Sequence, residues 1–166
     1  MSDTLPALKP PSHRVERRAI LLWTLYALIW GISVVGALVA LYVFLPATRP
    51  WIHPFLWILP PIYLLYLTRV PYWRYRVHRW EITDEAVYAL SGWIVREWRI
   101  VPISRIQSID VKKGPLQSRL RLATLKISTA AASEGGISII GLDADVAERC
   151  SDRLTDLTQM VPGDAT

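Results

Sequence analysis

The pattern of apolar and polar positions along this 166-residue chain changes character near residue 77. Before it, apolar residues come in long unbroken runs. Ala19 to Leu45, AILLWTLYALIWGISVVGALVALYVFL, contains no charged side chain. At about 1.5 Å per residue this run exceeds the roughly 30 Å hydrocarbon core of a bilayer, for which about 20 apolar residues suffice. It is too long and begins too late for a secretory signal, whose apolar region is roughly 7–15 residues. PATRP follows, and Pro46 and Pro50 cannot continue a helix. Pro50 to Thr68, PWIHPFLWILPPIYLLYLT, is again uncharged and bounded by Arg49 and Arg69. Pro60 and Pro61 are expected to kink it, which a neighbouring helix can accommodate inside a bilayer. The pattern therefore predicts a transmembrane hairpin over residues 19–69, with spans at about 19–45 and 50–68.

After residue 77 the runs become short and alternating. HRWEIT, then an acidic turn, then AVYALSG read as two strands, and WIVREWRIVP as a third, entered after Gly92 and ended by Pro102. RIQSIDVKK stops at the Gly114–Pro115 turn, and LATLKIST and GISIIGL are two further strands around the loop AAASEGG. DADVAERCSDRLTDLTQM then places Asp143 as a cap and Val146, Ala147, Cys150, Leu154 and Leu157 on one face at helical spacing. Several short strands closed by one amphipathic helix predict a compact antiparallel sheet or small barrel over 77–160. About 85 residues are enough for a small core of its own.

Charge supplies the orientation. Residues 1–80 carry +7 and residues 81–166 carry −2 of the net +5. Lys9, Arg14, Arg17 and Arg18 precede the first span, Arg69, Arg74, Arg76 and Arg79 follow the second, and only Arg49 lies between. By the positive-inside rule both termini face the cytoplasm. The segment before Arg14, MSDTLPALKPPSH, is proline-rich, so residues 1–18 are expected to be a disordered basic tail. Arginines interleaved with rings in RVPYWRYRVHRWEIT would also suit single-stranded nucleic acid. Their place directly after a span favours interface anchors instead, at Arg69, Tyr72, Trp73, Arg74, Tyr75 and Arg76, and no nucleic-acid partner is expected. Ser33, Gly36, Ala37 and Ala40 give the small-residue spacing that lets helices approach closely, within the hairpin or with another chain.

Little of the sequence suggests catalysis. His13, His53 and His78 fall on no common element, Cys150 is the only cysteine, and no phosphate loop or metal motif occurs. No cofactor, metal or enzymatic activity is expected. His53 reads as a boundary histidine of the second span.

The order WEITDEAVYALSGWIVREWRIVPISRIQSIDVKKGPLQSRLRLATLKIST after two spans resembles the bacterial membrane-flanked PH-like family of the YdbS type. The shared features are the strand, acidic turn and strand opening, Gly92 before the third strand, and Pro102 with Arg105-Ile106-Gln107. Gly114 to Leu116 and Leu122 to Leu125 complete them. Two departures from the family pattern are a serine at Ser118, where an arginine is expected and is displaced to Arg119, and Arg121 in place of a glycine. The resemblance implies a PH-like split β-barrel capped by a C-terminal helix, in the cytoplasmic membrane of a bacterium. It also implies a companion, often a larger membrane protein with repeated copies of the domain; self-association is the other assembly. Trp93 and Trp98 are candidate partner contacts. Lys112, Lys113, Arg119 and Arg121 are the better basic patch, for anionic lipid or an acidic partner face, because Glu81, Asp84 and Glu85 crowd the turn where inositide-binding PH domains carry basic residues.

Overall fold

The computed structural model describes residues 10–129 and 136–160. Residues 1–9 of the expected tail, and most of the loop after the sixth strand, lie outside them. Two helices come first, α1 (Arg18–Phe44) and α2 (Arg49–Val77), joined by a tight turn at Pro46–Thr48. Thr48 Oγ1 donates to the Leu45 carbonyl at 2.7 Å, and Arg49 Nε to the Tyr42 carbonyl at 3.1 Å, covering acceptors that the end of α1 leaves free. Helix α2 is continuous past Pro54, Pro60, Pro61 and Pro71, and it ends at Val77 rather than at Thr68. Both helices are long and apolar enough to cross a membrane, and hardly any of either apolar stretch is buried within the molecule. That exposure separates them from core helices of a soluble domain.

The helices run antiparallel. The Tyr63 hydroxyl donates to the Ala27 carbonyl, and the Tyr63 ring fills the space a side chain at Gly31 would occupy. Nearer the termini, the Trp23 ring lies 5.0 Å from His78 and under the Arg74 guanidinium at 4.9 Å. Residues 19–23 therefore sit beside 74–78, on the polar side of Arg69. Ala19, Leu22 and Trp23 are buried there. The apolar run expected as one span thus divides: its first turns are domain core. About Tyr26 to Phe44, ~28 Å of helix, remains for the bilayer, matched by ~30 Å over Arg49–Thr68.

The strands form two antiparallel sheets. The first has order β1 (His13–Arg14), β2 (Arg79–Ile82), β3 (Ala86–Gly92), β4 (Arg96–Pro102). The second has order β5 (Ile106–Lys112), β6 (Leu122–Thr129), β7 (Ile137–Asp143). A short helix, α3 (Pro115–Arg119), fills the corner between β5 and β6, and α4 (Ala144–Met160) closes the chain. Register follows the apolar alternation, with Val87 opposite Val101 and Leu125 opposite Ile139. Val87, Ala89, Val101 and Ile103 meet Leu125, Ile127, Ile137 and Ile139 in one core. Helix α4 lays Ala147 and Leu154 on it, flanked by Val146, Cys150 and Leu157, the five residues its spacing predicts. Burial raises the Cys150 thiol above its ordinary pKa, which suits a small apolar filler. The architecture is the expected membrane-anchored α+β one: two long apolar helices, antiparallel sheets and a C-terminal helix, consistent with a PH-like domain.

Three expectations are corrected. Residues 10–18 are built into the domain: His13 pairs with Trp80, Pro11 is fully buried and Val15 belongs to the core. Their few apolar residues find a ready-made surface, which composition alone does not register. The core therefore does not begin at residue 77; it also takes Ala19 and Trp23 from α1. Finally, Trp93-Ile94-Val95 is a turn, since Gly92 (φ +107°) pairs directly with Arg96. A glycine in that region opens a turn that other residues resist.

Candidate functional site

Strand β3 runs back toward the helices, because Leu90 pairs with Arg79 just past the end of α2. Three residues further on, the Trp93 ring meets the ring of Tyr66 edge to face at 6.3 Å. Beside α1, a side chain at Gly114 would lie 3.5 Å from the Tyr26 hydroxyl. The β3–β4 turn and the β5–α3 turn thus reach the helices at one height, that of Tyr26, Tyr66 and Arg69. Together they form a rim around the exit of the hairpin, and it is the candidate functional surface.

One part of the rim is apolar. Trp93 is 40% exposed, Ile94 73% and Val95 76%. Trp98 is half-buried on β4 opposite Leu90, so the two candidate tryptophans are in different settings.

The other part mixes charges. Lys112 is exposed, whereas Lys113 Nζ is 2.6 Å from Glu148 Oε1. Lys113 and Arg121 line a cleft of about 420 Å³ with Arg18, Asp143 and Asp145. Arg18 binds Asp143 at 2.6 Å and donates to the Leu120 carbonyl at 3.1 Å. Partial desolvation pushes the Asp143 carboxyl up, but the hydrogen bonds from Arg18 and from the Asp145 and Val146 backbone outweigh it and hold its pKa low. Arg119 is exposed on α3 and does not line the cleft. The four basic residues therefore do not form one patch: two share a cleft with carboxylates and two point outward.

The interface anchors divide as well. Arg69, Tyr72, Trp73 and Arg76 are exposed on one side of α2. Arg74 lies over Trp23 and Tyr75 packs against the core, so these two belong to the joint between helix and domain. His78, which caps α2, is buried with its Nδ1 2.8 Å from the Arg74 carbonyl; burial, together with the nearby Arg74 charge, lowers its pKa despite that hydrogen bond. His53 sits at the far end of the hairpin, its ring 6.5 Å from Tyr42.

Ser33, Gly36, Ala37 and Ala40 are all exposed, and nothing lies within 4 Å of a side chain placed at Gly36. The hairpin instead closes on Gly31, which sequence spacing did not single out. Between the helices runs an apolar groove of about 780 Å³, lined by Gly31, Val35, Gly36, Pro60, Tyr63 and Leu67 among others. Arg18 with Asp143, and Ile94 with Val95, also escaped notice. The first pair is 125 residues apart in sequence. The second carried a signal in the three consecutive apolar residues after Gly92.

Comparison with known proteins bears on the family and not on the individual site residues. The chain is 28% identical over 159 residues to UPF0699 transmembrane protein YdbS of Bacillus subtilis (strain 168), covering 93% of this chain and 97% of that protein. No solved structure matches it. The family model described as Bacterial PH domain matches residues 18–158, so the chain belongs to the bacterial PH domain family and is a membrane protein of YdbS-like build.

Proposed function

We propose that this protein is a non-catalytic adaptor of the cytoplasmic membrane, whose two helices hold the PH-like domain against the inner leaflet and pair with a second membrane protein of the same family. The observation that carries the reading is the uncovered small-residue face of α1. Ser33, Gly36, Ala37 and Ala40 are all exposed, nothing lies within 4 Å of a side chain placed at Gly36, and Gly36 lines the apolar groove. Small residues on lipid-facing positions give acyl chains little to pack on, whereas they let a second helix approach closely. Basic residues at the domain end of both helices, with Arg49 alone at the other, support a cytoplasmic domain and two cytoplasmic termini. A second reading, an anionic-lipid-sensing accessory, is favoured by Lys112, which is exposed beside Gly114 at the height of Tyr26.

The test is purification of tagged full-length protein in native lipid nanodiscs, followed by mass spectrometry of what accompanies it. The adaptor reading expects a stoichiometric membrane protein that is lost in Gly36→Leu with Ala40→Leu, while the variant is itself recovered folded. Recovery of a lone monomer sinks it. Anionic lipid enriched in the wild type and lost in Lys112→Glu supports the second reading.

A further inference from the structure

We infer that the β3–β4 turn is a membrane-dipping loop: Trp93, Ile94 and Val95 enter the leaflet on the domain's side, beside α2, and form a third point of attachment next to the two helices. Turns are ordinarily built from glycine, proline, asparagine, aspartate and serine, which suit solvent. The turn at the opposite end of β3 likewise suits solvent, with polar Thr83, Asp84 and Glu85, and its Asp84 binds Arg153 at 2.9 Å. The β3–β4 turn reverses it, presenting three consecutive apolar side chains of which two are about three-quarters exposed. Clustered exposed apolar groups mark a contact surface.

The bilayer is identified as the occupant by where the turn lies. Tyr66 belongs to the uncharged run 50–68, three residues, ~4.5 Å of helix, before Arg69. The Trp93 ring rests on it, so Trp93 stands at the depth where interfacial tryptophans collect. Strand β3 is directed toward the helices, so Ile94 and Val95 lie at its leading end. Arg96, exposed directly after them, is placed to reach back to the headgroups. Gly92, at φ +107° and with the Val95 carbonyl where its side chain would be, keeps the turn tight enough to carry all three residues forward together.

The experiment uses the full chain in phosphatidylcholine nanodiscs at high salt. The single cysteine is removed as Cys150→Ala, and a nitroxide is placed at Ile94→Cys, at Val95→Cys, or at Asp152→Cys on the exposed side of α4 as a solvent reference. Relaxation enhancement by oxygen, which concentrates in lipid, is compared with that by a water-soluble nickel chelate. The expected result is that oxygen dominates at position 94 or 95 and the chelate dominates at 152. The inference is overturned if 94 and 95 both behave like 152. It is equally overturned if both are shielded from oxygen and chelate, since a protein then covers the turn. An oxygen signal that appears only with anionic lipid at low salt also overturns it, because attraction at Lys112, rather than apolar insertion, would then hold the rim down.

Discussion

Arg121 is the only non-glycine residue with positive φ among the described residues, at +53°. It turns the chain from α3 into β6, and its carbonyl accepts from the Ala144 backbone at 3.1 Å, tying that corner to the start of α4. The left-handed conformation costs a residue with a Cβ about 1–2 kcal/mol, a cost glycine avoids. Arg121→Gly should therefore stabilise the domain by about 1 kcal/mol, read as a rise in the midpoint of thermal or denaturant unfolding. The corner was marked in the sequence, because the resemblance implied a glycine at this position; what could not be read was that the backbone keeps a positive φ without one. Gly92 was legible for the same reason, whereas Gly31 and Gly141 were not. Their roles depend on Tyr63 and Ala19, and the latter's Cβ would lie 2.6 Å from a side chain at Gly141. Proximity of that kind has no local signature.

At the level of elements, the joint between α2 and β2 should respond to pH. His78 is buried against Trp23 and hydrogen-bonded to the last turn of α2, and its pKa is lowered from the ordinary value of about 6.5. The unfolded chain therefore takes up a proton first as pH falls. Stability conferred by neutral His78 is complete above about 6.5 and is lost as pH drops from there through the folded value. His78→Asn, which cannot titrate, should flatten this part of the stability profile relative to wild type, as followed by tryptophan fluorescence on heating at a series of pH values. An unchanged difference between the two proteins across that window would show that the joint does not sense protons. The elements themselves were largely readable. Period-two alternation marked β5, β6 and β7, and the 3.6-residue spacing marked α4. The errors fell where an apolar run serves two purposes: WIV was read as strand because it is apolar, and Ala19 to Trp23 as membrane because nothing in a hydrophobic run shows where lipid gives way to protein.

For the whole molecule, the domain is interrupted in sequence by its own membrane hairpin. Val15, Ala19 and Trp23 lie in one core with residues from β2 through α4. The chain enters the domain, leaves it for the two long apolar helices and returns, and the two ends of that hairpin are neighbours at Trp23 and Arg74. A fragment starting at residue 77 should lose one wall of the core and be recovered aggregated or molten. A protein in which about residues 26–68 are replaced by a short glycine–serine linker should be soluble and cooperatively folded, because the junction is already closed by Trp23, Arg74 and His78. Gel filtration and near-UV circular dichroism of the two proteins decide the matter; equal behaviour would show that the first turns of α1 are dispensable. The cleft around Arg18 and Asp143 belongs to this same seam between the beginning and end of the chain, which is why it could not be seen from either.

The contact between Ala19 and Gly141 also sets a clock on synthesis. The two residues are made 122 positions apart, and at roughly 5–20 residues per second the ribosome needs about 6–24 s to deliver the second after the first. Throughout that interval the helices are available for membrane insertion while the first wall of the core waits without its counterpart. The insertion machinery therefore handles a segment of which only the later part is meant for lipid, and the strand that finally claims the earlier part is among the last to emerge.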